Sequence, residues 1–138
     1  MKIFNVKLGF TLIEIIIVII IVGLLATFAL PQYIRTQEKA LDNEARANLV
    51  LIQAAENIYN TESGSFYASS VHSDLNSNLS IALPPAGGKW NYSTVITPAA
   101  GVVPAKVCAR ATRNGGDART WTLMDTCTTP FLGVCTPC

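Results

Sequence analysis

Glu14 closes the stretch K-L-G-F-T-L-I-E at residues 7–14, and sixteen uncharged residues, 15–30, follow it directly. Between residues 8 and 30 it is the single charge in 23 positions. A helix of that length spans about 35 Å, enough to cross a bilayer core of about 30 Å. A carboxylate at mid-membrane costs on the order of 2.5–3.5 kcal/mol. Glu14 therefore needs a partner, and the chemistry it offers is charge pairing.

The other reactive residues crowd the opposite end. Cys108, Cys127, Cys135 and Cys138 all lie in the last 31 residues. If the N-terminus is embedded with Lys2 and Lys7 inside, this end lies outside the cytoplasm, where disulfides persist. Four cysteines allow three pairings. We favour Cys108–Cys127 with Cys135–Cys138, because Cys108 lies on an inner strand, Cys127 follows its partner strand, and a short loop closes the other pair. Closing a loop of about 15–20 residues contributes on the order of 3 kcal/mol. Cys135 and Cys138 also form a C-x-x-C, but a redox pair belongs at a helix start, where the dipole lowers the thiol pKa, and this one ends the sequence. Zinc needs four ligands, and His72 is the single histidine, placed in a Ser/Asp loop and expected to be exposed. No metal and no cofactor is expected.

Catalysis finds no support. One histidine supplies no nucleophile–base set, and Asp74, Asp117 and Asp125 are isolated. Gly115-Gly116 is read as a turn, since no helix opens behind it to cradle a phosphate. Lys89, Lys106, Arg110, Arg113 and Arg119 form a basic set beside Trp90 and Tyr92, which offers a minor DNA-binding alternative. Scattered solvated charge is the favoured reading.

The elements that position these residues follow from periodicity. Ile34, Leu41, Ala45, Leu49, Ile52, Ala55 and Tyr59 form one apolar stripe at helical spacing. Arg35, Glu38, Lys39, Asp42, Glu44, Arg46 and Glu56 lie between them and read as a solvated face. Gly64 is suited to a left-handed cap. Residues 10–60 thus form one long helix, roughly 75 Å if continuous, more than a small domain can cover. Pro31 lacks an N–H and Gly23 weakens a helix interior by about 1 kcal/mol, so both are weak points. Residues 65–89 read as a long surface loop with one short strand at 80–83. Trp90–Thr97 is the first firm strand. Residues 106–112 and 119–125 flank Asn114-Gly115-Gly116-Asp117 and form a hairpin, with Val107, Ala109, Ala111, Trp121 and Leu123 inward and Lys106, Cys108 and Arg110 on a wet face. The fold class is α+β: a long N-terminal helix, half exposed and half packed on an antiparallel sheet of three or four strands.

The segment 7–14 with its apolar tail resembles the processing signal of type IV pilins and type II secretion pseudopilins. Residues 54–67, A-A-E-N-I-Y-N-T-E-S-G-S-F-Y, resemble the end of that family's long helix and its first loop. The resemblance covers residues 1–67 well and the rest in outline. It implies a pilin-like roll in which a prepilin peptidase cuts after Gly9 and Phe10 becomes an N-methylated terminus. It also implies that the helix between Gly23 and Pro31 partly melts in a filament, and that a disulfide-closed loop near the C-terminus is common. The expected organisation is a leader 1–9, a membrane and filament-core helix 10–31, and a head 32–138. Within the head are the second helix half 32–62, a loop 63–89, and the sheet with its cysteine-rich tail 90–138. Removing the leader takes basic residues from 10 to 8 against 9 acidic, a near-neutral balance of −1 that demands no nucleic acid.

A secretory signal peptide is the alternative for the N-terminus. The apolar run is longer than the usual 7–15 residues, Glu14 sits at its start, and helical periodicity continues past Pro31. A plain anchor is the other alternative.

The function expected is a structural, non-enzymatic subunit of a type IV pilus serving adhesion, twitching or DNA uptake. Glu14 of one subunit would pair with the Phe10 amine of the next, and residues 10–31 would polymerise. The implied partners are copies of the chain, the inner membrane before assembly, the prepilin peptidase and an assembly platform. The location is the bacterial inner membrane, then an extracellular pilus or a periplasm-spanning pseudopilus. The alternatives are a type II secretion pseudopilin and, from a different class, a membrane-anchored thiol oxidoreductase. Secretion pseudopilins often carry a calcium loop that Asp117 and Asp125 are too few to form, which favours the pilus.

Overall fold

The computed structural model describes residues 9–85, 87–97, 106–115 and 119–133. The elements run α1 (Leu12–Ser63), α2 (His72–Asn78), β1 (Trp90–Thr97), β2 (Lys106–Arg113), β3 (Thr120–Met124) and β4 (Phe131–Leu132). The chain divides into two compact units, Met1–Lys39 and Ala40–Cys138. The long helix contributes to both, and each unit is described by itself.

In the first unit α1 is helical from Leu12 onward and stays so through Gly23 and Pro31. The 28 helical residues to Lys39 give about 42 Å of rise. This is the one helix among the described residues long and apolar enough to cross a membrane. The side chains of residues 9–37 are all exposed. That includes Ile34, which the apolar stripe places in the core; it lies in this unit, about three turns before the first buried position, Ala45.

In the second unit α1 buries Ala45, Leu49, Ile52, Ala55 and Glu56. The first four are the expected stripe. Glu56 was expected on the solvated face, but it stands four residues after Ile52 and seven after Leu49, and that spacing returns it to the buried side. The helix ends at Ser63, and Gly64 takes φ 75°, a left-handed conformation that costs glycine nothing.

The sheet is a four-stranded antiparallel meander in the order β1-β2-β3-β4. β1 has the expected bounds, and the hairpin forms with Ala109 opposite Leu123 and Ala111 opposite Trp121. Trp90, Tyr92, Val107, Ala109, Ala111, Trp121 and Leu123 are buried, as the alternation requires. The other face is not uniformly wet. Cys108 is fully buried opposite Met124, and Thr122 is buried beside Phe131, so a second apolar patch occupies the face expected to be solvated.

The loop 65–89 contains α2, and residues 80–83 form no strand. His72, Leu75 and Leu79 are all buried, at spacings of three and four that a short amphipathic helix needs. Asn76 then ends the segment: its carbonyl oxygen accepts the Ile81 N–H at 3.2 Å and its side-chain oxygen the Leu83 N–H at 3.0 Å. Backbone donors satisfied in this way are not free to form a ladder.

Candidate assembly site at the helix start

The first turn of α1 is closed by its own side chains. The Glu14 N–H donates to Thr11 Oγ1 at 3.3 Å, and the Thr11 N–H donates to Glu14 Oε2 at 3.5 Å. The Thr11 carbonyl accepts the first helical bond, from Ile15. Thr11 is therefore the N-cap and Glu14 the third helical residue of a reciprocal capping box, which satisfies two donors that a helix start otherwise leaves unpaired. Glu14 also places negative charge at the positive end of the helix dipole. Gly9 and Phe10 precede the cap, outside the helix, and Phe10 is 78% exposed. The T-x-x-E spacing was present in the sequence and marks Thr11 as a site residue that reading for charge alone passed over.

Behind this start, every large apolar side chain from Leu12 to Leu30 is at least 42% exposed. Gly23 and Pro31 sit eight residues apart on this surface with Thr27 midway. Thr27 Oγ1 donates to the Gly23 carbonyl at 2.9 Å, while Pro31 offers no N–H to the Thr27 carbonyl. The two weak points thus share one residue.

The head holds the remaining sequence-flagged groups apart. Cys108 and Cys127 are buried and neither is a free thiol; the favoured pairing also involves Cys135 and Cys138, which lie outside the described residues. Lys2, Lys7 and Asp117 lie outside them too. His72 is buried, not exposed: its ring sits 5.7 Å from that of Tyr92, because it opens the inward face of α2. Trp90 and Tyr92 are each about 2% exposed, so neither offers a face on which a base could stack. The Trp90 indole instead donates to the Leu41 carbonyl. Arg119 pairs with Asp42 at 3.0 Å, which takes it out of the expected free basic set.

That ion pair belongs to a cluster joining α1 to β3. Trp121 Nε1 donates to Asp42 Oδ1 at 3.4 Å, and the Arg46 guanidinium lies 3.9 Å from the centre of the Trp121 ring. Deeper in the core, burial pushes the Tyr92 hydroxyl above its usual pKa, opposed by the hydrogen bond from Asn48, with Glu44 adding to the rise. Burial also raises Glu56, opposed by the Tyr67 N–H.

Among the described residues no cluster of His, Cys, Asp and Glu is arranged to hold a metal. The arrangement at the helix start is one of surface and charge. Residues 5–30 match the prokaryotic N-terminal methylation motif. The chain carries that motif at the head of its apolar helix, and the relatives it matches are a type IV pilin and two type II secretion core proteins. It is 33% identical over 84 residues to the type IV major pilin PilA of Myxococcus xanthus, a stretch covering 61% of this chain and 35% of that protein. It is 36% identical over 59 residues to the type II secretion system core protein G of Vibrio cholerae, covering 43% of this chain and 40% of the relative. Against core protein G of Escherichia coli it is 31% identical over 84 residues, covering 60% and 57%. The matched stretches span between about a third and under three fifths of these relatives' lengths. No solved structure matches the chain. A pilin-type motif on an apolar N-terminal helix fits an inner-membrane precursor that passes into a pilus or pseudopilus.

Proposed function

We propose that the chain is a structural subunit of an extracellular type IV pilus that polymerises through residues 10–31. The observation that carries this reading is the apolar surface from Leu12 to Leu30, exposed along its whole length and headed by the single acid Glu14. Such a surface requires lipid or copies of itself.

Cleavage after Gly9 gives Phe10 a free amine one helical turn before Glu14, and methylation keeps it cationic. Within its own chain Glu14 accepts the Thr11 N–H, a dipole that orients the carboxylate without neutralising it. A neighbour's Phe10 amine supplies the missing positive charge at one axial stagger. The pair is a register device more than a source of net stability. Repeating one heterologous contact builds an open helix, hence a filament. Gly23 and Pro31 let the segment between them yield as subunits pack. The head, 32–138, faces outward with its tail closed by disulfides, and the role is structural, not enzymatic.

Mass spectrometry of purified filaments tests this. An N-methylated Phe10 terminus is expected; an intact Met1 terminus contradicts it. A second reading, a type II secretion pseudopilin, is favoured by the likeness to two core G proteins. Long surface fibres in electron micrographs of the host support the pilus. Their absence, with a secretion defect on deletion, supports the pseudopilin.

A further inference from the structure

Glu56 lies on α1 outside the apolar surface of residues 10–31. Its side chain is fully buried. Oε2 accepts the Tyr67 N–H at 2.9 Å, while Oε1 is buried without a hydrogen-bond partner. Tyr67 is a hub. Its carbonyl accepts Thr94 Oγ1–H at 2.9 Å, its hydroxyl accepts the Asn78 side-chain amide at 3.0 Å, and its ring meets Tyr59 edge-on at 5.7 Å. Thr94 in turn exchanges two bonds with Ser69: its hydroxyl accepts the Ser69 N–H and its own N–H donates to the Ser69 carbonyl. One carboxyl group on α1 thus ties down the segment that links the helix to β1 and α2.

We propose that Glu56 is a protonation latch: the neutral acid holds the 65–71 segment on the core, and ionisation releases it. A neutral carboxyl accepts the Tyr67 N–H at its carbonyl oxygen and leaves one buried O–H without an acceptor, a smaller cost than a buried charge. A carboxylate in the same place is a buried charge with a single hydrogen bond, which is costly. Among the described residues no cation is paired with Glu56. The surrounding elements carry Tyr59 and Glu62 on α1, Tyr67 in the loop, His72 and Asp74 on α2, and Tyr92 on β1. None of their side chains donates to Glu56, and the influences on its proton are burial, which favours the neutral form, and the Tyr67 N–H, which opposes it. The folded head therefore binds a proton at Glu56 that the released chain gives up at an ordinary carboxylate pKa. Stability from this group is complete below that ordinary value and is lost as pH rises toward the raised one. Within the window the opening of the segment becomes about tenfold more favourable per pH unit, then levels off.

The test uses the full chain in detergent micelles. Hydrogen exchange at the Tyr67 amide, corrected for intrinsic pH dependence, is followed from pH 4 to pH 9 in the wild type and in Glu56→Gln. Protection in the wild type is expected to fall about tenfold per unit across the window, whereas Glu56→Gln shows one constant level. Should Glu56→Gln fail to fold, the carbon-13 shift of the wild-type Glu56 carboxyl serves instead. Its titration midpoint must lie above the ordinary carboxylate range and coincide with the loss of Tyr67 protection. Constant wild-type protection, equal profiles in the two proteins, or an ordinary midpoint overturns the latch.

Discussion

Thr11 and Glu14 cap each other: each backbone N–H is received by the other's side chain. This fixes the first helical residue as Leu12 and gives the acid two separable jobs. One is local, satisfying a backbone donor at the head of a helix long and apolar enough to cross a membrane. The other is the charge, which no residue of the same helix to Pro31 offsets.

Thr11→Ala removes the local job on one side. A lost N-cap costs about 1 kcal/mol, so exchange at the Glu14 amide accelerates roughly fivefold in micelles. Thr11→Ser restores protection. An unchanged Glu14 amide in Thr11→Ala would show that the cap does not form.

Much of the fold is legible in the sequence because its signals are periodic. The run from 15 to 30, the stripe Ala45–Leu49–Ile52–Ala55, the strand at Trp90 and the hairpin about Asn114 all declare themselves by spacing. What failed to declare itself depends on tertiary partners. Glu56 reads as a surface charge until Tyr67 folds back onto it. His72 reads as a loop residue because polar neighbours mask a helix of two turns, although Leu75 and Leu79 carried its spacing. Cys108 reads as solvent-facing because alternation assumes one wet face, and Met124, Thr122 and Phe131 make that face partly dry. At the helix start both signals are in the sequence, the lone charge of Glu14 and the T-x-x-E spacing of the cap.

Asp42 links α1 to β3 through Arg119 and Trp121. Asp42→Ala removes one acceptor from the partly buried Arg119 guanidinium and one from the Trp121 indole N–H, with an expected loss of about 1–2 kcal/mol. Asp42→Asn, which keeps the acceptor oxygen, costs less. Thermal unfolding of the full chain in detergent measures both, and an unchanged midpoint in Asp42→Ala would assign the cluster no stabilising role.

His72 is buried with neither ring nitrogen hydrogen-bonded. His72→Phe keeps a ring tilted against Tyr92 and removes the two unsatisfied atoms. The change is expected to stabilise the head by about 1 kcal/mol, read as a higher unfolding midpoint at neutral pH. A drop of that size would mean that the nitrogens are satisfied in solution.

The most direct measurement of the central claim is the filament yield of Glu14→Gln in the native host, with subunit abundance in the membrane measured alongside. Glutamine still closes the capping box but carries no charge. If Glu14 acts by pairing with the Phe10 amine of a neighbouring subunit, the variant accumulates in the inner membrane and filaments are lost. Filaments in normal number and length from Glu14→Gln would leave the acid as a helix cap alone and contradict the assembly mechanism.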